Sequence, residues 1–358
     1  KDLKKILHDR IYCFCWSCGI GIFGKTLLVK QKQIILALQK NFMPKLYLAP
    51  LQGLTDCYYR EQYALHFAGI DAAFSPFIAD VSTTRVSPSK LMDIHPTLNR
   101  NIKTIPQFLS KNPEEIVILA QAIKDLGYNE MNWNIGCPFS KVANKQRGSG
   151  ILPYPLLIAE IMEKIMPVLP IGLSVKMRLG YFTTDEIFPI LEIFNQYPLS
   201  EIIIHTRTGK QMYKGETHPD KYRECLQKSK NPLVYNGDIF ALEDYQKLSV
   251  LFPETETWML GRGVLRDPFL PVKIKGLLLP DIDERKKVLI KFHHALYYKY
   301  QTLEKAKFYA LDRMKGIWVY LQHSFEDSSR FSKSVFKART EDDFFNAVNQ
   351  IMQLELIP

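Results

Sequence analysis

The chain has 358 residues, 46% hydrophobic and 12% aromatic, which excludes a disordered or fibrous protein and suits one large domain, or one large and one small. No run of about 18 uncharged apolar residues occurs, so an ordinary membrane-spanning helix is excluded, and six cysteines in so long a chain are no disulfide scaffold. Lys and Arg outnumber Asp and Glu by 47 to 37; the net charge of +10 admits a polyanionic partner and says nothing of fold.

The chain opens irregularly. Position 1 is Lys, and a basic stretch runs into an apolar segment from Ile11 to Phe23 that holds Cys13, Cys15 and Cys18. Four readings compete. Gly19 to Thr26, GIGIFGKT, fits the phosphate-cradling pattern GxxxxGK[ST], but that loop needs a whole α/β domain downstream, and another fold begins within about 20 residues. The basic-then-apolar order resembles a signal peptide without its small-residue cleavage site. The three cysteines suggest metal chelation, with no second ligand pair nearby. The fourth reading, an extension of residues 1–42 outside the functional protein, is the expectation here, because Met43 opens MPKLYLAP like a natural start.

From Lys45 onward, short apolar runs alternate with amphipathic segments, the pattern of parallel strands with crossover helices. Strands are predicted at 45–50, 72–77, 103–109, 130–136, 171–178, 201–205, 232–237 and 256–261. Asn112-Pro113-Glu114-Glu115 marks a helix start, with a capping Asn, Pro at the first position and acids in the first turn. Eight strand–helix units across residues 43–280 predict an α/β fold of the (β/α)8 TIM-barrel type. A doubly wound sheet is the alternative, but no glycine-rich turn follows the first strand.

Barrel chemistry lies at the carboxyl ends of the strands. Those ends here are polar: Pro50, Gln107, Asn132, Asn134, Cys137, Lys176, Arg178, His205, Arg207, Asn236-Gly237-Asp238 and Gly261-Arg262-Gly263. Lys176 and Arg178 stand two apart and share a strand face, as do Asn132 and Asn134. If that face points inward, two confined cations need an anion or an electron-rich ligand. The glycines at the seventh and eighth strand ends allow close backbone approach, and Arg262 offers a fork, together a signal for a phosphorylated cofactor.

In this order, APLQGLTD (49–56), Asn134-Ile135-Gly136-Cys137-Pro138, VKMRLG, HTRTGKQMYKG, YNGD and GRGVLRDP resemble the tRNA-dihydrouridine synthases, from about Met43 to the C-terminus. The resemblance implies an FMN-binding barrel followed by a small helical tRNA-binding domain, here 281–358, with NADPH reducing the 5,6 double bond of selected tRNA uridines. It implies that reduced flavin gives a hydride to one carbon and that Cys137, as general acid, protonates the other; a thiol holds and releases a proton near neutral pH. Asn134 and Arg178 match positions that hold the uracil. Lys176 and Gln107 match flavin-ring contacts, and Pro50 and Leu51 match the segment along the ring. His205, Asn236, Gly237, Asp238, Gly261 and Arg262 map onto the ribityl and phosphate end. Leu51 and Gln52 stand where the family commonly has Met and Ala, and Thr206 where Gly is usual; Arg207 and Tyr213 receive no role. The enzyme is expected to be a cytoplasmic monomer without a metal. The alternative is an FMN barrel that reduces a free pyrimidine or enone.

Beyond Pro280 helical periods take over. Between Arg285 and Arg339 thirteen Lys or Arg face four acids, with His293, His294 and tyrosines interleaved. Beside a barrel resembling an RNA-modifying enzyme, the expectation is a phosphate-tracking surface with Lys315 among its basic residues. Residues 1–42 carry eight basic and two acidic residues, so most of the +10 sits outside the expected enzyme.

Overall fold

The computed structural model describes residues 43–303 and 309–357. GIGIFGKT, the three leader cysteines, Lys305 and Lys307 lie outside them.

Ten strands form one parallel sheet: β1 (Lys45–Leu48), β2 (Ala72–Phe74), β3 (Ile78–Ala79), β4 (Thr104–Ile105), β5 (Gln107–Leu109), β6 (Glu130–Ile135), β7 (Gly172–Gly180), β8 (Ile202–Thr208), β9 (Leu233–Asn236) and β10 (Thr257–Leu260). β1 pairs with β10 on one side and β2 on the other; β2 pairs with β4 and β3 with β5, so the sheet closes on itself. β2 with β3, and β4 with β5, are two barrel positions each interrupted once, which gives the eight expected. One interruption is Pro106, which has no amide proton for the ladder. At the other, Ser75 accepts the Gln107 amide on its Oγ (3.0 Å).

Helices α1 (Cys57–His66), α2 (Pro113–Asp125), α3 (Pro155–Ile165), α4 (Ile187–Phe194), α5 (Pro219–Lys228), α6 (Leu242–Leu251), α7 (Arg262–Arg266) and α8 (Leu270–Lys275) clothe the barrel. The start of α2 is as predicted: Asn112 Oδ1 accepts from the amides of Glu114 (2.9 Å) and Glu115 (3.5 Å). The crossover after β3 is built of single helical turns and is pinned by the fully buried Arg60, which pairs with Asp93 at 3.0 Å and also binds Asn99.

Strand alternation separates two apolar clusters. Val175, Met177, Met131 and Trp133 belong to the large core between sheet and helices. Tyr47, Ala49, Phe74, Ile105, Ile203, Val234 and Met259 fill the barrel interior. Ser174, Lys176 and Arg178 alternate with the outward residues of β7 and therefore point inward, as do Asn132 and Asn134 on β6.

Beyond the barrel come α9 (Ile282–Gln301), α10 (Tyr309–Leu321), α11 (Ser329–Lys337) and α12 (Glu341–Met352), which pack with the barrel as one compact unit. Phe292 of α9 meets Tyr59 (5.7 Å) and Phe67 (5.1 Å) edge-on. Asp56, the last residue of APLQGLTD, caps α1 through the Tyr59 amide and binds Tyr300 and Arg313. The motif's aspartate thus docks the helical region on the barrel. Among the described residues no helix is long and apolar enough to cross a membrane, and no His/Cys/Asp/Glu group is arranged to hold a metal.

Candidate active site

Cys137 lies in the loop after β6, 7% exposed. Asn134 holds that loop: its Oδ1 accepts from the amides of Gly136 and Cys137, both at 3.0 Å. Its Nδ2 donates to Gln107 Oε1 (2.7 Å), whose Nε2 donates to Asn132 Oδ1 (2.8 Å), which is tied to Ser174 (3.0 Å). A buried amide ladder thus runs from the barrel interior to the cysteine loop. Ser149 closes the loop from the other side, its amide donating to the Cys137 carbonyl at 2.9 Å. Gly148 is required there, since φ is +55° and a Cβ would stand 2.5 Å from that carbonyl oxygen.

The ladder assigns Asn134 a positioning role for the cysteine. Asn134→Ala leaves two loop amides and Gln107 Oε1 without partners, so we expect a loss of about 1–3 kcal/mol in urea unfolding together with weakened catalysis. Unchanged stability would refute the clamp.

Lys176 donates to Asn236 Oδ1 (2.9 Å), and Asn236 Nδ2 is anchored on the Met259 carbonyl (2.9 Å). Arg178, 1% exposed, donates to the carbonyls of Gly136 (3.1 Å) and Thr208 (2.7 Å). Arg207 grips Asp238 with both terminal nitrogens (2.8 and 2.5 Å), and Arg262 adds a third bond to the same carboxylate (2.7 Å). Thr206 points outward, within 3.4 Å of the Tyr235 hydroxyl, so the residue unusual for the family never enters the site. Gly237 is dictated by close packing, because a Cβ would stand 2.6 Å from that hydroxyl.

Electrostatics follow from this crowding. Burial, then Arg178, lowers Lys176 to about 7. Burial, then the four surrounding cations Arg178, Lys176, Arg207 and Arg262, pushes His205 well below its usual value and keeps it neutral. Burial raises the Cys137 thiol despite the two cations nearby, so the thiol is protonated at neutral pH. Burial pushes the Asp238 carboxyl up, and its two arginines overcome that, leaving it below the usual range. Asp238 thus balances Arg207 and Arg262, whereas Lys176 and Arg178 have no carboxylate. The site suits a ligand that brings negative charge.

Pro50, Asn134, Cys137, Lys176, Arg178 and His205 border one cavity of about 60 Å³ at the barrel mouth. Gln107 lies beneath it, fully buried, and the Leu51 amide is taken by Thr55 Oγ1 (2.8 Å). Asn236, Gly237, Asp238, Gly261 and Arg262 form the adjoining end, joined to the cavity through Lys176 and Tyr213. The Tyr213 ring covers the mouth, 5.3 Å from the Arg178 guanidinium and 5.2 Å from that of Arg262. A cavity of this size holds a few waters. The sequence reading gave Tyr213 and Arg207 no role. Both lie in HTRTGKQMYKG, and Arg207 carried a further signal, standing two residues from His205 on one strand.

The model of the dihydrouridine synthase (Dus) family matches residues 47–355. This chain belongs to that family. It is 27% identical over 265 residues to tRNA-dihydrouridine synthase B of Pasteurella multocida, covering 72% of this chain and 78% of the relative. To the synthase B of Vibrio vulnificus it is 26% identical, covering 87% and 94%, and to tRNA-dihydrouridine(16) synthase of Cupriavidus necator 24%, covering 82% and 92%. Among solved structures, 2-naphthoyl-CoA reductase in complex with 2-naphthoyl-CoA superposes with a TM-score of 0.50 at 12% identity, over 65% of this chain and 50% of that one, a likeness of fold alone.

The basic residues that the sequence groups as one surface divide in the structure of this dihydrouridine synthase. Arg313 binds Asp56, Lys315 donates to the Ala338 carbonyl (2.6 Å), Lys286 to the Leu354 carbonyl (2.9 Å), and Lys299 pairs with Glu61 (3.5 Å). His293 is buried in the helical core, accepting on Nδ1 from Trp318 (3.1 Å), and Tyr297 and Tyr300 are buried beside it. Lys287 and Arg330 are exposed but pair with Glu284 and Asp327 on their own turns, and Lys291, Lys333, Lys337 and Arg339 are also exposed, three of them on or just beyond α11. Lys315 spends one donor on that carbonyl, and the exposed basic face is smaller than the charge count suggests.

Proposed function

We propose that this chain reduces uridine in tRNA to 5,6-dihydrouridine, with FMN held in the barrel mouth and NADPH as reductant. Family membership supports the reaction, and the relatives' names supply the substrate class. The observation that carries the reading is a protonated, buried thiol on a clamped loop, beside two cations without counter-ions.

Pro50, Leu51, Gln107 and Lys176 would hold the FMN ring, and His205, Asn236, Gly237, Asp238, Gly261 and Arg262 its ribityl phosphate. The donor set fits, because uncompensated positive charge at the mouth suits a phosphate and a ring that gains negative charge on reduction. FMN, when bound, supplies the hydride that NADPH replenishes.

The chain's own groups do the rest. Cys137 keeps its proton until the adjacent carbon of the uracil gains negative charge, then delivers it. Arg178, held by two carbonyls, presents its remaining donor edge to the uracil oxygens, and Asn134 holds the acid in place beside them. Neutral His205 offers a hydrogen bond without adding to the positive charge. The uridine reaches the mouth only if it leaves its stack, so the RNA needs grip elsewhere. The exposed Lys291, Lys333, Lys337 and Arg339 suit that task by binding phosphates, and Phe139, exposed at the rim, offers a stacking face. The test is the product: dihydrouridine formed in unmodified tRNA, with free uracil left unreduced.

A further inference from the structure

A second cavity, larger than the barrel mouth, lies elsewhere in the molecule. A volume of about 560 Å³ lies between the loop after β9, the segment around α7 and α8, and the helical region. Arg266 and Arg285 both line it. Arg285 is 7% exposed, its Nε is buried without a hydrogen-bond partner, and its side chain makes no ion pair or hydrogen bond among the described residues. The Nε of Arg266 is likewise unsatisfied, and its guanidinium lies 4.4 Å from the centre of the Phe240 ring. His323, which lines the same cavity, is held below its usual value by burial and then by Arg266, and adds no charge at neutral pH.

Among the described residues, no carboxylate bordering the cavity pairs with Arg266 or Arg285. Asp267 is bound to Lys273 at 2.9 Å, and Glu243 is exposed on the rim. Buried guanidiniums are ordinarily paired, since removing such a charge from water without a partner is expensive. Arg285 is such a buried guanidinium, the half-buried Arg266 adds a second positive charge to the same cavity, and the planar fork of arginine matches phosphate oxygens bidentately. Lys273 and Ser324 also line it, and Leu289, Phe269 and Leu356 supply an apolar wall. The volume falls within the roughly 300–1,000 Å³ of small-ligand sites.

We propose that this cavity binds a phosphomonoester of mononucleotide size, its phosphate between Arg266 and Arg285 and its apolar part against Leu289 and Phe269. The cavity shares no lining residue with the barrel mouth, and the proposal does not depend on the reaction proposed there.

Titration of the purified full chain with AMP, after loading with FMN and removal of free FMN by desalting, tests this by calorimetry. The expected result is one AMP per chain, weaker binding of inorganic phosphate and none of adenosine. Arg285→Met and Arg266→Met are each expected to weaken AMP about tenfold or more, the share of one charge-assisted contact. Arg266 is only half-buried, so its variant keeps the test decisive if Arg285→Met does not fold. AMP affinity unchanged in the folded variants, or no AMP binding at millimolar concentration, overturns the proposal. So does a loss of tRNA affinity in the variants with AMP affinity untouched, which would give the arginines to the RNA backbone.

Discussion

Replacing Cys137 with alanine is expected to lower dihydrouridine formation by roughly 10²–10⁴-fold, the usual share of a positioned general acid, while flavin content and NADPH oxidation stay near those of the unaltered protein. The loop's shape is set by the Asn134 Oδ1 bonds and by Ser149, all to main-chain atoms of the loop, so losing the sulfur does not undo it. Burial raises the thiol, so wild-type protonation persists through neutral pH and activity should not decline there through loss of the Cys137 proton. Product formed by the alanine variant at the wild-type rate would remove Cys137 from the role.

A second large effect is expected at Lys176. Its amine is lowered from the usual 10.5 to about 7, by burial first and Arg178 second. Between about pH 7 and 10.5 the unfolded chain therefore binds the proton that the folded chain has released. Stability of the ligand-free protein accordingly rises with pH across that window, and Lys176→Met should remove the rise. An anionic ligand beside the amine restores its charge, so FMN affinity should fall as pH rises from 7 to 9, by at most about tenfold per unit for one proton. His205 is already neutral and the Cys137 thiol is raised, so neither supplies this slope. In Lys176→Met the affinity should be flat with pH, and flavin reduction slower by about 10–100-fold, the value of a hydrogen-bonded charge. A slope that survives in Lys176→Met would assign the proton to another group.

Much of the fold was legible because the signals are local. Alternation placed Lys176 and Arg178 opposite Val175 and Met177, and the barrel has them so. The residue types at the strand ends announced the mouth, and the Asn112 cap announced the start of α2. What stayed hidden depends on contacts distant in sequence. Arg313 meets Asp56 across 257 positions, and no spacing rule reveals that one of thirteen basic residues is a docking pin. Charge counts likewise miss that Lys315 and Lys286 each donate to a main-chain carbonyl. Arg266 and Arg285 sit 19 positions apart in unrelated motifs, and only the fold brings them to one cavity. Asn134 is expected as a substrate contact, and no spacing rule reveals that its oxygen also accepts from two amides of the cysteine loop. Thr206 looked like a departure that endangered the site, yet strand parity turns it away from the mouth.

The central claim is a reaction, and its product carries a mass signature. Purified protein, NADPH and unmodified tRNA, followed by nucleoside mass spectrometry, should yield dihydrouridine two mass units above uridine, and the Cys137→Ala protein should yield almost none. Reduction of free uracil or an enone, with no dihydrouridine in any tRNA, would contradict the account.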